Sequence, residues 1–303
     1  MGSITAPSPS RAGIMVVNPR LHEPITTENA DIFSRWTKLH FRDLLGIPTE
    51  SGKTGGVTRT LRFVNGAEGS VDGKYGYGMG MESILFYTIF APAISIFRSP
   101  QYYAVSRRLD LENTRPLLEG EEKVGCEEGL MVWDVVGAYF TIYEEVELDG
   151  RGDGSTSALS GYAAYADVPE SEKEGVVLVG LGVSASGNAE NGKVGAETVN
   201  ELQAGLVEYL KTTVLKEEVK EKVYTTVYRN AGTDAQPDMH PHIGADVVGG
   251  GDWLVLLALA SGEASKKEDL ESVVGKWVDG VRSKNISGVE IRLGVWKKEL
   301  DLH

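Results

Sequence analysis

Apolar residues run along this chain in two rhythms: short runs rich in β-branched residues, and longer stretches spaced three or four apart. The run 13–19 (GIMVVNP) predicts a short buried strand stopped by proline. Phe33, Trp36, His40 and Leu44 then recur at helical spacing. Thr26 or Thr27 can cap that helix, with Glu28 and Asp31 in its first turn, where carboxylates suit the dipole. Residues 57–65 (VTRTLRFVN) predict the second strand and 75–82 the third. Ser99 followed by Pro100 is a helix start, predicting a helix as far as Leu111, and 132–146 predicts a long closing strand.

The order then begins again. Residues 148–161 form a Gly/Ser/Asp-rich break, followed by a predicted strand at 176–184. Thr198 and Glu201 make a capping box ahead of Leu202, Leu206 and Leu210, and Ser265 and Glu268 another ahead of Leu270, Val274 and Trp277. Strands are predicted at 223–230, 253–260 and 289–297. The order strand, helix, strand, strand, helix, strand thus occurs twice, which predicts an α+β chain of two tandem ferredoxin-like β-α-β-β-α-β modules. The expected boundaries are a tail at 1–12, a first module at 13–147, a linker at 148–161 and a second, degenerate module at 162–303. Helices cover one face of each sheet, and the other apolar faces need burial. Two sheets paired within the chain form a pseudo-dimeric α/β barrel, with the pocket expected between them.

Charge and cysteine content narrow the partners. The formal net charge is -14, from 30 Lys and Arg against 44 Asp and Glu, a surface that repels phosphate backbones, so no nucleic-acid partner is expected. Cys126 is the single cysteine, so no intrachain disulfide forms and a reducing, cytoplasmic location is expected. The N-terminal MGSITAPSPSRAG lacks the apolar core of a secretory signal and the hydroxyl residue of a myristoylation signal, and no run is long enough to span a membrane.

The stretch Trp36-Thr-Lys-Leu-His40-Phe-Arg-Asp43 resembles the W-x-x-x-H-x-x-D helix of the EthD-like proteins of fungal metabolism, within the dimeric α/β barrel superfamily. Arg62-Phe63 resembles that family's Arg-aromatic pair on strand two, and 134–144, with Tyr139 and Tyr143, its closing strand. The likeness covers roughly residues 13–147. The second half follows in pattern only: aligning Tyr209 with Trp36 places Thr213 where His40 stands, so an asymmetric site is expected. The resemblance implies His40 as acid/base.

The residues themselves allow that chemistry. An imidazole exchanges protons near neutral pH, and Asp43 three residues on could fix its tautomer. Arg62 could hold an enolate or carboxylate oxygen, or pair with one of the many acids. In 75–81 (YGYGMGM) period two puts Tyr75, Tyr77 and Met81 on one face and glycines on the other; the G-x-G-x-G spacing is no dinucleotide fingerprint. The apolar run 84–97 reads as buried packing, or as a greasy wall for a terpenoid or polyketide. His240 and His242 lie in a connection rich in aspartate that could fold over the pocket mouth; no third metal ligand has convincing spacing, so no metal is expected.

The candidate site is therefore His40, Asp43 and Arg62 for catalysis, with Trp36, Phe63, Tyr75, Tyr77, Met81, Tyr139, Tyr143, His240 and His242 around a small apolar substrate. The leading expectation is a cofactor-independent cyclase, isomerase, dehydratase or decarboxylase of secondary metabolism. The alternatives are a cofactor-free or haem-dependent monooxygenase and a non-catalytic carrier. Self-association is allowed but not required, because the partner sheet is covalently attached.

Overall fold

The computed structural model describes residues 11–49, 51–53, 55–64, 85–146, 168–186, 193–213, 223–236, 244, 246–260, 267–283 and 288–303. The first half comprises β1 (Gly13–Leu21), α1 (Thr27–Leu45), β2 (Arg59–Val64), β3 (Leu85–Ala91), α2 (Pro100–Ala104) and β4 (Val136–Val146). The second comprises β5 (Val176–Ala185), α3 (Ala196–Thr213), β6 (Val223–Asn230), β7 (Trp253–Ala260), α4 (Lys267–Ser283) and β8 (Val289–Leu302). All neighbouring strands are antiparallel, and they close in the order β1-β3-β2-β8-β5-β7-β6-β4. Each half contributes four consecutive strands, and the halves join where β2 meets β8 and β4 meets β6. This is the dimeric α/β barrel fold closed within one chain. No helix among the described residues is long and apolar enough to cross a membrane.

Local chemistry explains the elements. Thr26 caps α1, its hydroxyl accepting from the Asn29 amide at 3.1 Å, and the helix buries Phe33, Trp36 and Leu44. Proline does not stop β1: from Asn18 onward that strand pairs only with β4, so the N–H that Pro19 lacks falls beyond the reach of β3. Among the described residues the strand that follows β2 is Leu85–Ala91, within the apolar run read as packing; the predicted third strand at 75–82 lies outside them. The helix expected over 99–111 stops after five residues. Val105 turns extended, and the chain beyond it bridges to 130–132 through Arg108 and Met131. Thr198 lies inside α3 rather than capping it, since the helix already begins at Ala196.

Among the described residues, large side chains pack inside the barrel. Phe63, Phe86, Phe90 and Tyr143 meet Leu178, Leu256 and Trp296 there. Trp296 stacks on Phe86 with ring centroids 4.5 Å apart and lies over two glycines; a Cβ on Gly180 would come within 2.9 Å of its ring and one on Gly294 within 1.9 Å. The turn Val248–Gly250 closes the space: the Tyr143 hydroxyl donates to the carbonyls of Gly249 (3.0 Å) and Gly251 (2.9 Å), and the Thr141 hydroxyl to Gly249 at 2.5 Å. These described side chains pack between the two sheets, and the cavity that holds His40 lies on the outer face of the first sheet.

Candidate functional site

That cavity sits between α1 and the outward face of β1, β3 and β4. Met15 and Val17, Tyr87 and Ile89, and Val136, Ala138 and Phe140 form its floor. Phe33, Trp36, His40 and Phe41 of α1 form one wall, and Tyr102, Arg107, Val132 and Trp133 the cover. Its volume of about 50 Å³ has room for a few waters. Trp133 and Phe140 meet edge-on across it, centroids 5.7 Å apart.

The cover is held by nonlocal bonds. The Trp36 indole donates to the Arg108 carbonyl at 2.8 Å, and Arg108 clasps Asp110 with two hydrogen bonds. Asp110 also accepts from Asn113 and from the Gly129 amide; the Arg108 bond above all holds its carboxyl well below the usual carboxylate range. The same segment brings in Arg107, whose guanidinium lies 4.8 Å from the Tyr102 ring centroid and donates to the carbonyls of Tyr102 and Val105. Arg107 was not legible as a site residue, because the Arg108–Met131 bridge that places it is not local.

His40 stacks on Trp36, centroids 4.4 Å apart, and its Nδ1 is buried with no hydrogen-bond partner. Burial, reinforced by the Arg107 charge, lowers its pKa from 6.5 to about 3; a hydrogen bond to the Ser106 backbone works weakly the other way. The ring is therefore neutral in the folded protein across the physiological range. Between 6.5 and about 3 the unfolded chain binds a proton at His40 that the native chain does not. The contribution is fully present above the unfolded pKa and lost as pH falls towards the folded one. Urea midpoints of the wild type should therefore fall between pH 6.5 and about 5, above the main carboxylate range, and His40→Gln should flatten that slope. Equal slopes would mean that the ring is not held neutral.

The remaining candidates divide over several places. Trp36 lines the cavity beside His40. Asp43 does not orient His40: Arg115 donates to it at 2.6 Å and grips Glu121 as well, and burial raises the Asp43 pKa against the pull of Arg115. Arg62 faces a smaller recess with Ser34, Tyr87 and Glu299; its Nε lies 2.8 Å from Glu299 and it donates to the Ser34 carbonyl at 3.1 Å. Tyr87 borders both recesses, its hydroxyl pushed up to about 12 by burial. Phe63 and Tyr143 point into the barrel, on the other side of the sheet, and Tyr139 shares their strand face by alternation. Tyr75, Tyr77, Met81, His240 and His242 lie outside the described residues. Among the described residues no cluster of three His, Cys, Asp or Glu is arranged to hold a metal.

No protein-family profile matches the chain, and no curated protein does. Solved structures align over nearly its whole length. A haem-binding protein from Thermus thermophilus has TM-score 0.41 and 12% identity, over 95% of this chain and 91% of that one. An anthrone oxidase-like protein has TM-score 0.41 and 9% identity, over 96% and 92%. A variant chlorite dismutase from Candidatus Nitrospira defluvii has TM-score 0.38 and 11% identity, over 96% and 92%. At these values the likeness adds nothing to the strand register, and no residue role is carried across.

Haem does not fit the described residues. His40 offers a buried nitrogen, but its ring lies flat on Trp36, with the Arg107 charge beside it.

Proposed function

We propose that this chain is a cofactor-independent enzyme whose site is the cavity beneath α1. His40 takes a proton from an apolar ligand that carries a hydroxyl or an enolisable carbonyl. The observation that carries the reading is the buried, partnerless Nδ1 of His40 in a mostly apolar recess. The resemblance of 36–43 to the EthD-like helix supports the same residue, and with it a polyketide or terpenoid of fungal secondary metabolism as substrate in a cytoplasmic setting.

The low basicity of His40 sets the terms of the transfer. A proton arriving from solvent would create an isolated cation beside Arg107, which burial opposes. A proton arriving from the ligand leaves an enolate or phenolate in the same recess, so the imidazolium forms next to its own counter-charge. Arg107 then faces the developing oxyanion rather than an empty apolar space. Cyclisation, isomerisation, dehydration and decarboxylation all pass through such an anion. Addition of dioxygen to the same anion would make the protein a cofactor-free monooxygenase.

The test is to incubate metabolite extract with the wild type and with His40→Gln and to compare masses. Turnover should fall about 10²–10⁴-fold in the variant while ligand affinity changes far less. An unchanged mass in the product marks isomerisation or cyclisation; loss of water or carbon dioxide, or gain of oxygen, marks the other reactions. Equal turnover by both proteins would refute the role of His40. The small cavity and the weak basicity of the ring favour one second reading, a carrier; a ligand recovered unchanged from both proteins would establish it.

A further inference from the structure

The charge on Arg107 has no answer among the described residues. The sequence holds 44 acidic residues against 30 Lys and Arg, and nearby arginines are matched: Arg62 with Glu299, Arg108 with Asp110, Arg115 with Asp43 and Glu121. Arg107 is half-buried on the cavity wall, yet its contacts are two backbone carbonyls and the ring and hydroxyl of Tyr102, and no carboxylate among the described residues pairs with it. A cation set in an apolar wall without a counter-ion is costly unless something supplies one. The carbonyl bonds both run from Nη1, so the five-donor guanidinium fork keeps donors for a planar, two-oxygen group even with Tyr102 beside it. Another polar atom of the recess, His40 Nδ1, is buried without a partner. An uncompensated cation and a partnerless nitrogen on one small, mostly apolar cavity suit a ligand with a polar head and an apolar body.

We infer that the ligand of this pocket is an apolar carboxylic acid, bound as its carboxylate to Arg107, with its hydrocarbon or aromatic body against Trp36, Phe140 and Trp133. The inference rests on the reading of the cavity as a small-molecule site and names the class of molecule that enters it. A carboxylate there also provides the negative charge beside which His40 can become protonated. The body of any ligand larger than a few atoms must part Trp133 from Phe140, which meet only edge to face.

Titration calorimetry with naphthalene-1-acetate and its amide, which has nearly the same shape and no charge, tests this. The wild type should bind the acid about tenfold more tightly or better, the value of one charge-assisted contact. Arg107→Gln should bind acid and amide alike, and Arg107→Lys should restore part of the preference, which separates lost charge from a misplaced cover segment. Equal affinity of the wild type for both, or an undiminished preference in Arg107→Gln, would overturn the carboxylate assignment. The cavity reading would then still stand, because the amide reports binding on its own. Binding of neither molecule would overturn both.

Discussion

Trp296→Ala should destabilise the protein by about 3–5 kcal/mol, the loss typical of a large aromatic side chain removed from a closed core. Trp296 is 2% exposed, stacks on Phe86, and occupies the space that Gly180 and Gly294 leave open. Those glycines belong to β5 and β8, so the indole fills the barrel from one half and meets Phe86 of the other. Its removal leaves a void that the hydrogen-bonded strands around it cannot collapse into. Urea unfolding should show the midpoint shift with little change in slope. A loss below about 1 kcal/mol would show that the barrel interior is not the packed core described above.

Glu121→Ala should cost a similar amount, about 3–5 kcal/mol, for an electrostatic reason. The Glu121 side chain is 0% exposed and takes two hydrogen bonds from Arg115 and one from the Leu118 amide, with Arg42 at 3.6 Å. The Arg115 bonds hold its pKa below the ordinary value. The stability it contributes is therefore present above the unfolded pKa and is lost as pH falls through the lower, folded one. Truncation leaves Arg115 facing Asp43 alone and frees the turn at Leu118. Thermal denaturation checks it, with Arg115→Ala as the matching half of a double-mutant cycle. Additive losses in the double variant would contradict a coupled network.

The strand order of the fold was legible because both halves repeat the same alternation of periods. The largest departure concerns β3. Its inward residues Phe86 and Phe90 and its outward residues Leu85, Tyr87 and Ile89 are all buried. A strand covered on both faces shows no period of two and reads as an undifferentiated apolar run. The same rule explains the site. Arg62 and Phe63 are adjacent in sequence, so they point to opposite sides of the sheet and cannot line one pocket. Trp36 and His40 were legible because four residues along a helix bring two side chains together whatever the rest of the fold does. The helix that corresponds to α1 in the second half differs in kind. The buried stripe of α3 is Val199, Leu202, Leu206 and Leu210, aliphatic throughout, and its polar contact to the second sheet is Gln203 donating to the Thr225 hydroxyl at 2.6 Å.

The account turns on a neutral imidazole in the cavity beneath α1. Nitrogen-15 NMR of the histidine side chains, followed from pH 8 down to 3, reads that state directly. The prediction is that the His40 ring stays neutral until the bottom of the range, near its folded pKa of about 3. A His40 midpoint near 6.5, the value of an unburied ring, would place it in solvent and remove the recess as the site of function.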